Sequence, residues 1–133
     1  MTHVSIDGAE FLINDAPTCK GREYGGRSIE GLLFNSRMVQ ALCDDETPAT
    51  RRRWRYPDTG VWDPERNTRE FCEQLPVYRR HGLRAVTVGL QGGGSVYSPS
   101  VYDHYVNSAY LPDGSFKKSY FDRLYRILAA ADN

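Results

Sequence analysis

The segment that ends at Leu90 constrains the fold of this chain more than any other part of its sequence. Residues 83–90 (LRAVTVGL) form a nearly continuous apolar run rich in β-branched side chains, which is typical of a strand buried in a parallel sheet. The residues before Gly82 carry apolar side chains at helical spacing, and the turn between the two patterns is very short. A helix that leads directly into a buried strand indicates an α/β fold.

The remaining patterns continue this alternation of strands and helices. Residues 29–34 (IEGLLF) form a second apolar run and predict a buried strand, and residues 118–131 place their apolar side chains on one face of a helix. Near the start of the chain, residues 10–20 predict a small β-hairpin with its turn at Asn14 and Asp15. The predicted order is therefore hairpin, strand, helix, strand, helix.

The first helix has recognisable start and stop signals. Asn67 is a good N-cap, and Glu70 stands three residues later, as in a capping box. Gly82 supplies a C-terminal stop. Pro76 lies inside the segment, so the sequence predicts either a kink or the start of a second short helix at that point.

The predicted loops are long after each strand, at residues 36–67 and 91–116, and short before the second strand. In a (β/α)8 barrel the loops after the strands build the active-site face. We therefore predict an α/β fold, a partial (β/α)8 TIM barrel with its first two βα units at about residues 29–133, preceded by the small N-terminal β-hairpin. Residues 1–133 would form a single domain, the N-terminal fragment of such a barrel. A doubly wound sheet and a small self-contained α/β domain are the alternatives.

The overall charge and the cysteine pattern argue against several classes of protein. Seventeen basic residues balance seventeen acidic ones, so the chain as a whole does not attract nucleic acid or an anionic membrane. Three cysteines without CxxC spacing and three scattered histidines predict no disulfide framework, no metal site and no cofactor. The first residues lack a signal-peptide pattern, and no apolar run reaches the roughly 18 residues of a membrane span. A cytoplasmic location is therefore expected.

Aromatic and polar side chains in the long loops are the candidate ligand-binding residues. Both tryptophans, Trp54 and Trp62, lie in these loops together with several tyrosines. Large rings make suitable walls for sugars, which have apolar faces and hydroxyl edges. Asn35, Arg37 and Gln91 follow the predicted strands, where a barrel directs side chains at its substrate. The alternative is that the rings pack small cores within their loops and that the polar groups bind backbone carbonyls.

Residues 51–55 (RRRWR) have a composition that suits phosphate binding, with the tryptophan stacked on a base. The acidic residues 44–46 stand close to them in sequence and favour a solvated or internally paired loop instead. We therefore predict no nucleic-acid partner.

Several segments resemble cellulase-like glycoside hydrolases of the (β/α)8-barrel superfamily. Residues 11–17 (FLINDAP) are similar to the N-terminal hairpin that precedes many of these barrels. Other segments of this chain are similar to a bacterial branch of these hydrolases, and together they extend over nearly the whole chain. They are residues 29–40 (IEGLLFNSRMVQ), 56–60 (YPDTG), 62–68 (WDPERNT), 82–93 (GLRAVTVGLQGG) and 107–110 (NSAY).

The resemblance implies an enzyme that hydrolyses O-glycosidic bonds in an oligo- or polysaccharide. It implies a retaining mechanism, with one glutamate after the fourth strand and one after the seventh. Only two barrel strands are predicted here, and Glu30, Asp44 and Asp45 offer no credible catalytic pair. No catalytic residue is therefore assigned, and the fragment is expected to be inactive alone.

The loops and the resemblance together predict a set of substrate-binding residues. These are Asn35, Arg37, Gln91, Trp54, Trp62 and Asn107. The alternative function is a non-catalytic carbohydrate-binding or interaction protein that uses its aromatic-rich loops as the binding surface. The sequence specifies neither the sugar nor the linkage.

Overall fold

The computed structural model describes residues 1–38, 40–92 and 105–132, without the side chains of residues 91 and 92. The strands are β1 (Val4–Asp7), β2 (Glu10–Ile13), β3 (Ala16–Pro17), β4 (Glu23–Tyr24), β5 (Arg27–Ser28), β6 (Asn35–Arg37), β7 (Ala85–Thr87), β8 (Gln91–Gly92) and β9 (Asn107–Ser108). The helices are α1 (Pro48–Arg51), α2 (Pro64–Arg80) and α3 (Lys118–Ala131), and a 3-10 turn, Arg52–Trp54, follows α1.

The first three strands form an antiparallel sheet in the order β1-β2-β3. The hairpin predicted at residues 10–20 is confirmed, because β2 turns into β3 through Asn14 and Asp15, with φ angles of 52° and 61°. Asparagine and aspartate tolerate this left-handed conformation better than most residues. The Asn14 side chain also accepts a hydrogen bond from the backbone N–H of His3, so the turn is tied to the segment that leads into β1.

β6 and β7 pair in parallel, with Asn35 opposite Ala85 and Arg37 opposite Thr87, and α2 lies between them in the chain. This pair runs in the direction that the sequence predicts. The predicted partial (β/α)8 barrel is nevertheless wrong. Each of the two strands has three residues, and β8 pairs antiparallel with β9 instead of extending the parallel sheet. The described residues form separate small sheets and show no series of alternating βα units.

The strand predicted at residues 29–34 is wrong, because β6 begins only at Asn35, and the second apolar run forms only the three-residue strand β7. Backbone conformation and hydrogen bonding explain both differences. In the first run, Gly31 adopts a φ of 79°, and its carbonyl accepts a hydrogen bond from the N–H of Phe11 in β2. Residues 29–34 therefore turn against the N-terminal sheet. In the second run, the carbonyl of Gly89 accepts a hydrogen bond of 2.6 Å from the Tyr120 hydroxyl. Backbone groups that a longer ladder would use are bonded elsewhere.

α2 begins at Pro64, earlier than the sequence analysis places it. Asp63 is the N-cap, and its carboxylate accepts hydrogen bonds of 2.9 Å from the backbone N–H groups of Glu65 and Arg66. Proline suits the first position of a helix because it has no N–H to satisfy and its φ is already helical. The predicted N-cap, Asn67, therefore lies inside the helix.

The other helix boundaries follow the sequence more closely. α2 continues through Pro76 as one helix, so no second helix begins there. The chain turns at Gly82, whose φ of 94° is in the left-handed region. α3 covers residues 118–131, as predicted.

The core lies between α2, α3 and the loop that follows β6. Tyr120 and Ile127 of α3 form one buried cluster with Ala41, Leu42 and Ala109. The partly buried side chains around it are Met38, Phe71, Cys72, Val88, Tyr110, Phe121 and Leu124. Complete burial of a large apolar side chain stabilises a fold by roughly 1.5–3 kcal/mol, so this cluster is the main link between the two helices and the loop.

Replacing Gly31 with alanine should lower the free energy of unfolding by about 2 kcal/mol or more. A Cβ atom at this position would lie 2.6 Å from Cγ and 2.7 Å from Cβ of Glu10, and the φ of 79° disfavours any side chain. Gly8→Ala is the matched control, because Gly8 also has a positive φ but its added Cβ would meet no atom within 4 Å. Urea denaturation of both variants measures the difference. Equal losses would contradict a role for the contact with Glu10.

Candidate functional site

A hollow of about 350 Å³ lies between α2 and the segment that leaves β6, and we call it the α2 hollow. Its polar lining consists of Arg37, Gln40, Asn67, Glu70 and Gln74. Its less polar lining consists of Met38, Ala41, Phe71 and Tyr78. The volume is that of a small-molecule site, and the combination of rings with a few polar groups is typical of such sites.

The geometry of α2 explains this lining. Asn67, Glu70, Phe71, Gln74 and Tyr78 are separated by three or four residues, so they share one face of the helix. The rings of Phe71 and Tyr78 have centroids 6.5 Å apart and planes tilted by 49°. The hollow therefore has an aromatic part on a rigid helix, with amide and carboxylate groups beside it.

Asn67 joins the helix to the other wall of the hollow. Its side-chain nitrogen donates hydrogen bonds to the backbone carbonyls of Gln40 and Ala41, at 3.0 and 3.2 Å. Within the described part of the chain, the side chains of Arg37, Gln40 and Gln74 have no hydrogen-bond or ion-pair partner. Their donor and acceptor groups are therefore free to bind a ligand.

Glu70 is held at the rim of the hollow by a stacked group of side chains. Its carboxylate accepts hydrogen bonds from Arg66 Nε at 2.7 Å and from the Tyr56 hydroxyl at 3.0 Å. The Arg66 guanidinium lies 3.8 Å from the centroid of the Tyr56 ring, and Trp62 stacks on Tyr56 with centroids 5.8 Å apart. The hydrogen bond from Arg66 holds the pKa of Glu70 below its usual value. Burial and the Glu70 carboxylate raise the pKa of Tyr56 to about 12.

Trp54 lies in a different environment, where it joins its own loop to the segment that leads into β9. Its indole nitrogen donates a hydrogen bond of 3.0 Å to the Asp45 carboxylate, which is fully buried. Its ring packs edge-on against Tyr105, with centroids 5.2 Å apart and planes at 76°. The polar atom of Trp54 is therefore already bonded within the chain.

Asn107 joins β9 to the loop that follows β6. Its side-chain oxygen accepts a hydrogen bond from the backbone N–H of Asp44, and its nitrogen donates one to the carbonyl of Leu42, both at 2.9 Å. The side chain is buried, with 5% of its surface exposed. This position suits a structural clamp between two segments that are distant in sequence.

The structure does not bring all the predicted binding residues together. Arg37 lines the α2 hollow, and Trp62 supports its rim through Tyr56 and Glu70. Asn35 is exposed two residues before Arg37 in β6 but does not line the hollow. The backbone of Gln91 pairs with Ser108, and its side chain lies outside the described part of the structure. Residues 93–104 of the loop predicted at residues 91–116 also lie outside it.

The acidic residues near this region are engaged in structural contacts. The Asp44 carboxylate pairs with Arg123 and Lys117, and Lys117 also pairs with Glu46 at 2.7 Å. Among the described residues, no three histidine, cysteine, aspartate or glutamate side chains converge as metal ligands would. No helix in the described ranges combines the length and the apolar character needed to cross a bilayer.

Among the residues that line the hollow, the sequence predicts Arg37 as a site residue and misses the other polar ones, Gln40, Asn67, Glu70 and Gln74. Asn67 matches an N-cap pattern in the sequence, and this match predicts a structural role and not a ligand-binding one. The spacing of Asn67, Glu70 and Gln74 on one helical face, with Phe71 among them, could have indicated a polar surface with an aromatic part. No pattern in sequence places Gln40 against this face.

Comparison with known proteins gives no independent assignment of this site. No family model matches the chain, and no curated protein or solved structure is significantly similar to it.

Proposed function

We propose that this chain binds carbohydrate in the α2 hollow. The observation that carries the proposal is the arrangement of three unpaired planar groups, on Arg37, Gln40 and Gln74, around the rings of Phe71 and Tyr78. Sugars combine apolar C–H faces with hydroxyl groups in fixed directions, and this lining offers a complement to both.

The chemistry of each group fits a neutral polyhydroxyl ligand. Amides donate and accept hydrogen bonds, and a guanidinium presents several donors in a rigid plane, so neighbouring hydroxyl groups can be bound in pairs. Gln74 projects from α2 and Arg37 from β6, which are regular elements. Groups held on regular elements lose less conformational entropy on binding than groups on loose loops.

The proposal concerns binding and not bond cleavage. The acids considered from the sequence are bonded to cations and hydrogen-bond donors, namely Glu30, Asp44 and Asp45. The O-glycosyl hydrolysis implied by the family resemblance therefore remains a prediction for the protein to which these residues belong. We also propose a cytoplasmic location, which the three free cysteines support.

The test is to titrate the protein with cellohexaose, xylohexaose and mannohexaose and to measure binding by isothermal titration calorimetry. We expect at least one of these sugars to bind. Arg37→Ala and Gln74→Ala should each weaken that binding by about tenfold, which corresponds to about 1.4 kcal/mol, because each removes hydrogen bonds to hydroxyl groups.

Arg27→Ala is the matched control, since Arg27 is an exposed arginine of β5 that does not line the hollow. It should leave the affinity unchanged. Binding that survives in both hollow variants, or the absence of binding to all three sugars, would overturn the proposal. Circular dichroism of each variant separates loss of binding from loss of structure.

A further inference from the structure

A second and larger hollow, of about 660 Å³, lies between the N-terminal sheet and the C-terminal ends of α2 and α3. We call it the sheet–helix groove. It lies at the start of β7, whereas the α2 hollow lies at the end of β6. Much of its wall is apolar and includes Pro17, Leu75, Leu83, Val86 and Ala130.

Cationic side chains dominate the polar part of this groove. Those that line it are Lys20, Arg22, Arg79 and Arg84. Within the described ranges the acid that lines it is Asp132, whose carboxylate accepts a hydrogen bond from the backbone N–H of Thr2. The side chains of Lys20, Arg22 and Arg84 form no ion pair with any residue that the structure describes.

This clustering of cations is informative because the chain as a whole is neutral. The chain has seventeen basic and seventeen acidic residues. Many of the acids pair with cations elsewhere in the described structure, for example Asp44 with Arg123 and Asp58 with Arg66. Lys20 and Arg22 follow β3, whereas Arg84 lies in the turn before β7, so two separate segments direct the same charge at one groove. Like charges repel, and a bound anion would remove that repulsion.

We propose that the sheet–helix groove binds an amphiphilic carboxylate, with an apolar alkyl body against the wall and the carboxylate among the three unpaired cations. A guanidinium can bind both oxygens of a carboxylate through parallel hydrogen bonds, which Arg22 and Arg84 are able to do. The apolar residues of the wall exclude water from the alkyl body, and its burial contributes about 0.8 kcal/mol for each methylene group. This site uses different polar residues from the carbohydrate site proposed above, and Tyr78 borders both hollows.

The first arm of the test compares three ligands with the same alkyl body, the two charged ones kept below their micelle concentrations and decanol below its solubility limit. Decanoate, decanol and decyltrimethylammonium differ in charge, and their binding to the intact chain is measured by chemical-shift changes in NMR. We expect decanoate to bind at least about tenfold more tightly than decanol and decyltrimethylammonium not to bind. Equal affinity for decanoate and decanol, or no decanoate binding, would overturn the proposal.

The second arm uses variants. Neutralising the cations with Lys20→Gln, Arg22→Gln and Arg84→Gln together should weaken decanoate binding by at least about tenfold while decanol binding stays the same. Arg52→Gln with Arg55→Gln is the control, because these arginines are exposed and lie outside the groove. Decanoate binding that is unchanged in the triple variant, or lost equally in the control, would refute the site. The sugar titrations test the other hollow separately.

Discussion

Replacing Asp45 with alanine is expected to lower the free energy of unfolding by about 3–5 kcal/mol, a large part of the stability of a small domain. The Asp45 carboxylate is fully buried and accepts hydrogen bonds from Thr47 N at 2.9 Å, Thr50 Oγ1 at 2.7 Å and Trp54 Nε1 at 3.0 Å. Removing it leaves the part-buried Thr47 N and Trp54 Nε1 without this acceptor, and leaves Thr50 Oγ1 with the carbonyl of Thr47 at 3.4 Å. Each buried donor without a partner costs about 1–3 kcal/mol.

Urea denaturation at neutral pH measures this loss, with Asp7→Ala as the control. Asp7 is an exposed aspartate of β1 with no side-chain partner in the described ranges, so its replacement should change stability by about 0.5 kcal/mol or less. Asp45→Asn should fall between the two, because one amide oxygen replaces two carboxylate oxygens. An Asp45→Ala variant as stable as Asp7→Ala would show that the loop does not depend on this carboxylate.

The same comparison at lower pH provides a second check. Burial of the Asp45 carboxyl opposes its ionisation, but the hydrogen bonds from Thr50, Thr47 and Trp54 outweigh burial and hold its pKa below the usual value of 3.8. As the pH falls, the Asp45 carboxyl is therefore protonated first in the unfolded chain. The stabilisation by Asp45 is present above about pH 4 and decreases as the pH falls through the lower pKa of the folded state. The stability difference between Asp45→Ala and the unmodified protein should be full at neutral pH and smaller below pH 4.

The sequence predicts well those parts of the fold that depend on interactions between residues close together in the chain. The turn at Asn14 and Asp15 and the span of α3 depend on residues adjacent in the chain, and both are confirmed. The barrel prediction is wrong because apolar character alone does not specify a long strand. At Gly31 and Gly89 the backbone instead bonds with Phe11 and Tyr120, and these partners are distant in sequence.

The candidate site was predictable only in part, for a related physical reason. Arg37 was identified because a residue at the end of a parallel strand points toward a functional edge. Trp54 and Asn107 carry groups that suit ligand binding equally well, yet their polar atoms bond with Asp45 and with the loop at residues 42–44. Whether a polar side chain is free or already bonded depends on tertiary contacts, which the order of residues does not reveal.

Arg123 of α3 is a second charged residue on which the fold depends, but unlike the Asp45 carboxylate it is not fully hydrogen-bonded. Only 3% of its surface is exposed, and its guanidinium pairs with Asp44 and, at 3.1 Å, with Glu65 of α2. These pairs connect α3 to both the loop after β6 and α2. However, its Nε has no hydrogen-bond partner among the described residues. An incompletely satisfied buried charge stabilises a fold less than its contacts suggest.

Arg123→Ala should destabilise the protein by about 3–5 kcal/mol, because among the described residues it leaves the Asp44 carboxylate with only the more distant Lys117, at 3.5 Å, and opens space beside Tyr120. The double variant Arg123→Met with Asp44→Asn should be more stable than Arg123→Ala, since it fills the space and removes the charge that would otherwise be left buried. Arg69→Ala, at an exposed arginine of α2, is the control and should change stability by about 0.5 kcal/mol or less. Urea denaturation of the three variants measures their free energies of unfolding. A double variant no more stable than Arg123→Ala would mean that loss of the ion pair itself, and not the space and the weakly paired Asp44 carboxylate left by the single substitution, causes the destabilisation.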